Sequence, residues 1–96
     1  GEGMMEQIAA DIRKALETKV FSGSLKFDCG ADGVIVLADG TATTTDRDTD
    51  CTLRLSRENL VSLLKGKLNP MMAMATGKLK LSGSPAVAMG LAKLLG

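Results

Sequence analysis

Cys29 and Cys51 are the two thiols of a 96-residue chain that has no histidine, tryptophan or tyrosine. A cysteine nucleophile or an acid–base pair needs a base or a cation beside it, and the side chain that most often serves is missing. Both cysteines lie in alternating apolar and polar segments, on the apolar side, where a thiol stays protonated and inert. They form no CxxC or other metal-type pair, so neither a redox motif nor a zinc site is expected. Two buried free thiols fit a reducing compartment, and the expected location is the cytoplasm.

Asp46, Asp48 and Asp50 have the spacing that opens a calcium loop. The pattern then fails, because its sixth position needs glycine and holds Cys51, and its twelfth needs glutamate and holds Arg57. Arg47 also sets a cation among the would-be ligands, so a solvated loop is expected. Single-strand nucleic-acid binders stack bases on aromatic rings. Here only Phe21 and Phe27 are aromatic, and Phe27 points away from the charges that flank it. Gly30 and Gly33 mark a turn rather than a phosphate cradle. No catalytic residue, metal, cofactor or nucleic acid is expected.

What the chain does hold is adaptable apolar surface. Hydrophobic residues make up 45% of it, and six are methionine, which fills irregular space and specifies shape weakly. Charge is divided unevenly. Residues 1–50 carry ten acids and five bases, whereas residues 51–96 carry one acid and seven bases. The second half can guide an anionic ligand or membrane, with Lys65 and Lys67 best placed to do so. No apolar run approaches the roughly 20 residues that span a bilayer. Gly1, Glu2 and Gly3 before Met4 read as an expression remnant. Ala92-Lys93-Leu94 is similar to a peroxisomal address but is followed by Leu95 and Gly96.

The elements that must position this surface follow from periodicity. Residues 4–19 place Met5, Ile8, Ile12, Ala15 and Leu16 on one helical face. Residues 24–29 alternate as a half-buried strand, and 30–33 form a tight turn. Residues 34–38 form a continuous apolar strand, Asp39-Gly40 a hairpin turn, and 41–45 an edge strand. After the loop at 46–50, Cys51 to Leu55 alternate again. Ser56 caps a helix over 57–65, which Gly66 ends. Asn69-Pro70 starts a short helix over 71–75, ended by Gly77. Residues 78–82 form the last strand, and Ser84-Pro85 begins a helix over 85–95. Lys26, Asp28, Thr52, Arg54, Lys78 and Lys80 give the sheet a wet face, so the helices cover the other. The result is a two-layer α+β domain with a five-stranded mixed, mostly antiparallel sheet. The two helices between the fourth and fifth strands permit a parallel crossover there.

Three blocks carry a resemblance: Asp50-Cys51-Thr52-Leu53, Gly66-Lys67-Leu68-Asn69-Pro70, and Gly77-Lys78-Leu79-Lys80-Leu81-Ser82-Gly83. In this order and spacing the chain resembles the sterol carrier protein type 2 domain family, over nearly its whole length after Met4. The resemblance implies one domain over residues 4–96 and an apolar tunnel between sheet and helices. It implies a fatty acid, fatty acyl-CoA, phospholipid or sterol-like ligand, carried without chemical change. The expected lining is Phe27, Leu53 and Leu55 from the sheet, with Leu60, Leu64, Met71, Met74, Met89 and Leu94 from the helices. Expected partners are the lipid, transient contact with an anionic membrane, and no nucleic acid. The alternative is a homodimerisation or enzyme-docking module. The last helix, with one charge in residues 86–95, would then pair through Val87, Leu91 and Leu95.

Overall fold

The computed structural model describes residues 2–95; Gly1, part of the supposed expression remnant, and Gly96 lie outside them. Helix α1 (Glu2–Leu16) includes Glu2 and Gly3 and buries Met5, Ile8, Ala9 and Ile12. It ends three residues before the expected Lys19. Leu16 is the last apolar residue of its stripe with something to pack on, and Val20 beyond it is exposed. Strands β1 (Leu25–Asp28), β2 (Val34–Ala38), β3 (Thr41–Thr43) and β4 (Cys51–Arg54) follow. The β1–β2 connection is a 3-10 turn over Gly30–Asp32, anchored by Asp28, whose carboxylate accepts the Gly30 N–H at 2.9 Å. At the β2–β3 hairpin Asp39 and Gly40 both have positive φ, as the twist of a two-residue loop requires.

Helices α2 (Arg57–Leu64) and α3 (Pro70–Ala75) lead to β5 (Lys80–Gly83) and α4 (Pro85–Leu95). The Ser56 hydroxyl accepts the Asn59 N–H, and the Asn69 side-chain Oδ1 accepts those of Met71 and Met72, so both expected N-caps form. Both helices end the same way. Gly66 donates to Leu63 O and Lys67 to Ser62 O, and Gly77 donates to Met74 O and Lys78 to Ala73 O. These are Schellman caps, with glycine at positive φ where a side chain would be strained. The second cap occupies Lys78 and Leu79, which is why β5 begins at Lys80 rather than at Lys78.

The sheet order is β3-β2-β1-β4-β5, and only β1 and β4 run parallel. The crossover expected between β4 and β5 is not there; those strands are antiparallel. The two helices leave the chain at the end of the sheet where β4 finishes, so β5 runs back. The parallel pair is instead made by residues 44–50, which return across the outer face, where Asp46 meets Lys26 at 2.6 Å. A reciprocal pair starts it in register. Ser24 N donates to the Asp50 carboxylate at 3.0 Å, and Asp50 N to the Ser24 hydroxyl at 2.8 Å.

Leu25, Phe27, Ile35, Leu37, Cys51 and Leu53 form the inner face and are buried. Lys26, Asp28, Thr52, Arg54 and Lys80 take the outer one, consistent with the alternation. Helix α1 lies over the β2–β3 half and α4 over the β4–β5 half. No described helix is long and apolar enough to cross a membrane.

Candidate functional site

The wide half of the inner face is where α3 and α4 stand over β4 and β5. Leu53 of β4, Leu81 of β5 and Leu79 before it form a floor. Leu63 closes one side, and Pro70, Met71 and Met74 bring α3 against it. Helix α4 supplies Ala88, Leu91, Ala92 and Leu95, an i, i+3, i+4, i+7 stripe, with Pro85 and Met89 at its border. Between them lies a groove of about 330 Å³. All thirteen lining side chains are apolar. The groove therefore offers burial and dispersion, and no group that could polarise a bond or move a proton.

Met71, Met74 and Met89 are 76%, 45% and 74% exposed, so the groove opens to solvent through a methionine rim. At its end it shares Leu63, Pro70, Ala92 and Leu95 with a second depression that reaches Lys67 and Asn69. A depression of about 470 Å³ at Gly3, Glu6, Asp32 and Thr44 is larger than either, but it is partly polar and shares no residue with the groove.

Of the nine residues expected to line a site, Leu53, Met71, Met74 and Met89 meet here. Phe27, Leu55 and Leu60 are buried in the main core, Phe27 directly beside Leu53 on the neighbouring strand. Leu64 and Leu94 lie together at a small cleft against Ile12 and Ala15 of α1. The lining residues not anticipated are mostly those of the α4 stripe and of Leu79 and Leu81. Their spacings, 88-91-92-95 and 79-81, were the signal available. Of the residues named for self-association, Leu91 is buried and Leu95 lines the groove, while Val87 approaches Gly23.

Neither thiol joins the groove, and both are buried and free. Burial, then Asp32, Asp28 and Glu58, pushes the Cys29 thiol up to about 11. Burial and Asp50 push Cys51 up as well. A raised pKa means that the fold disfavours the thiolate. The contribution is complete below pH about 9 and is lost as pH rises through about 11. Native protein at neutral pH should accordingly resist iodoacetamide for the time that fully labels urea-unfolded protein. Its melting temperature should fall above pH about 9, and Cys29→Ala should lessen that fall. Fast native labelling at neutral pH would show an accessible, activated thiol. Among the described residues no group of three or more acidic, cysteine or histidine side chains could hold a metal ion.

The profile of the SCP-2 sterol transfer family matches residues 2–96. Over 53 residues the chain is 42% identical to sterol carrier protein 2 of Gallus gallus, a stretch that makes up 55% of this chain and 10% of that protein. The chain thus spans about a tenth of the length of the curated relatives it matches. Among solved structures, sterol carrier protein 2 of Aedes aegypti in complex with palmitate matches with a TM-score of 0.79. The match covers 97% of this chain and 94% of that one at 19% identity, which is a likeness of fold. The sterol carrier protein domain 2 of Helicoverpa armigera matches with a TM-score of 0.60 over 98% and 78%, at 29% identity.

Proposed function

This chain belongs to the SCP-2 sterol transfer family, and from that premise we propose that it is a non-catalytic carrier holding the apolar tail of a lipid in the groove between α3, α4 and the β4–β5 floor. The observation that carries this reading is the lining: about 330 Å³ bounded by thirteen apolar residues and open at a flexible rim. That volume is at the small end of ligand pockets. A single acyl chain, as in a fatty acid, fatty acyl-CoA or phospholipid, suits it better than a rigid sterol-like ring system. Leu53, Met71, Met74 and Met89 make the first contacts. Phe27, Leu55 and Leu60 lie in the core beyond them and become accessible only if the helices part, while Leu64 and Leu94 line the separate small cleft against α1. The head group stays in water toward Lys67, and the two unpaired thiols suit the cytoplasm. One domain, residues 4–96, suffices for this task.

Burying about ten methylenes yields roughly 8 kcal/mol gross. Association offsets part of that, so affinity should be micromolar or weaker unless the head group adds contacts. Protein purified without detergent and extracted with organic solvent should release lipid near one mole per mole. A preparation with no extractable lipid that also takes up no fluorescent fatty acid would defeat the proposal.

Met89 separates binding from folding. It is largely exposed, so Met89→Gln should change the stability of the free protein by no more than about 0.5 kcal/mol. In the complex the amide would lie against a lipid tail, unpaired, at roughly 1–3 kcal/mol. The expected result is about tenfold weaker fatty-acid affinity by fluorescence titration, with an unchanged urea midpoint. Unchanged affinity would remove Met89 from the site.

A further inference from the structure

The side chains that a mild oxidant attacks are few and unevenly placed. The chain has no tryptophan, tyrosine or histidine, so its oxidisable groups are two cysteines and six methionines. Both thiols are buried, and burial with the neighbouring carboxylates keeps them protonated at neutral pH, the form that reacts slowly with peroxide. Met5, on α1, is buried in the core. The other five methionines are exposed, and three of them, Met71, Met74 and Met89, line the groove. Met71 and Met74 stand one turn apart on α3, and Met89 borders the same space on α4.

A thioether sulfur attacks one oxygen of hydrogen peroxide. An S–O bond forms, the O–O bond breaks, and the proton of the transferred oxygen leaves with the departing hydroxide as water; sulfur loses two electrons and the peroxide gains them. The product is neutral and similar in length, but it carries a polar acceptor oxygen. All thirteen lining side chains of the groove are apolar, so none can donate to that oxygen. A sulfoxide turned inward is therefore unpaired against an acyl tail, and one turned toward water draws its methyl group away from the tail. We propose that Met71, Met74 and Met89 form an oxidant-sensitive modification site, at which conversion to sulfoxide by hydrogen peroxide expels the acyl chain and closes the groove to another. Met4 and Met72 are exposed but do not line the groove, so their oxidation is silent. The change is reversible, because sulfoxide reductases restore each epimer. The loss of binding rests on the carrier reading; the order of oxidation rests on exposure alone.

Stepwise treatment of the full chain with hydrogen peroxide, then its removal by gel filtration, tests this. Tandem mass spectrometry of peptides reads each methionine, and titration with nitrobenzoxadiazole-labelled stearate reads the groove. Met4, Met71, Met72 and Met89 should gain oxygen first, Met74 next and Met5 last, with both thiols unchanged. Affinity should fall by about tenfold or more at an unchanged urea midpoint, and recover when reductases for both epimers are added. Met71→Leu with Met74→Leu and Met89→Leu conserves volume and removes the sulfur, so its binding should survive peroxide. Met4→Leu with Met72→Leu should lose binding as the parent does. Full oxidation of the three groove methionines at unchanged affinity would overturn the proposal. So would an equal loss in the triple leucine variant, or a loss that comes with a lower urea midpoint. The parent protein decides the matter without any variant: affinity must fall in step with Met71, Met74 and Met89, and a fall that follows Met5 or a thiol overturns the proposal. A parent that takes up no probe before oxidation defeats the carrier reading and the proposal together; one that binds equally before and after defeats the proposal alone.

Discussion

Phe27→Ala is expected to destabilise the domain by about 3–5 kcal/mol, read from the midpoint of urea unfolding. Phe27 is fully buried on β1, the central strand of five, with Ile35 and Leu53 beside it on the same face. Removing the ring leaves a cavity with neighbours on every side and little room to collapse. A domain of this size holds about 5–15 kcal/mol in all, so much of the population at elevated temperature should unfold. Phe27→Leu keeps most of the volume and should cost about 1.5 kcal/mol or less. The same pair of variants decides what Phe27 does for a ligand. It lies one strand away from Leu53, which lines the groove, and does not line it itself. Phe27→Leu should therefore leave acyl-chain affinity within about twofold. A large loss of affinity with only a small loss of stability would mean that the ligand parts the helices and reaches β1.

The elements were legible because their periods are clean. Leu25, Phe27 and Cys29 alternate with charge, and the inner face of β1 follows from that alone. Ser56 and Asn69-Pro70 announced helix starts that their side-chain hydrogen bonds now make. Topology was less legible. The residues of β4 and β5 alternate identically whether the strands run together or opposed, and the linking helices allow either. The parallel pair is instead β1 with β4, whose starts are joined by the Ser24–Asp50 pair, a contact across 26 residues that no local pattern marks. The start of β5 was obscured for another reason: Lys78 and Leu79 continue its alternation but are held by the cap of α3.

The candidate site was legible in kind and only partly in position. Scarcity of polar side chains in α3 and α4 pointed to an apolar surface needing cover, and the groove lies there. Which leucines face it depends on how α4 is rotated against the sheet. Met89 and Leu91 are both apolar, yet one is 74% exposed and the other 4%. In a helix that is apolar nearly all round, hydrophobicity cannot choose between its sides. The small residues Ala88 and Ala92 reveal the inner stripe, since they let the helix approach the floor while leaving space above it.

Gly83→Ala should be nearly as damaging as the loss of Phe27, for a reason that involves no cavity. Gly83 ends β5 opposite Cys51 with φ +87°, and a Cβ there would sit 2.3 Å from the Asp50 carbonyl oxygen and 3.1 Å from the Cys51 Cα. Neither neighbour is a movable side chain. Asp50 is also committed on three sides: its carbonyl accepts the Ser84 N–H, its carboxylate accepts Ser24 N, and its own N–H donates to the Ser24 hydroxyl. Relieving the clash must loosen the junction that joins β1, β4 and the start of α4. The left-handed conformation costs alanine about 1–2 kcal/mol, and each displaced hydrogen bond adds about 1 kcal/mol. A loss of about 3 kcal/mol or more is expected. Gly77→Ala supplies the control. Its φ is +77°, but nothing lies within 4 Å of an added Cβ, so it should lose only the conformational part. The difference between the two isolates the close approach at Asp50. Because α4 leaves the sheet at this point, Gly83→Ala should also weaken acyl-chain binding in the fraction that stays folded, whereas Gly77→Ala should not. Equal stability losses would mean that β5 shifts freely and that the Asp50 junction does not hold α4 over the groove.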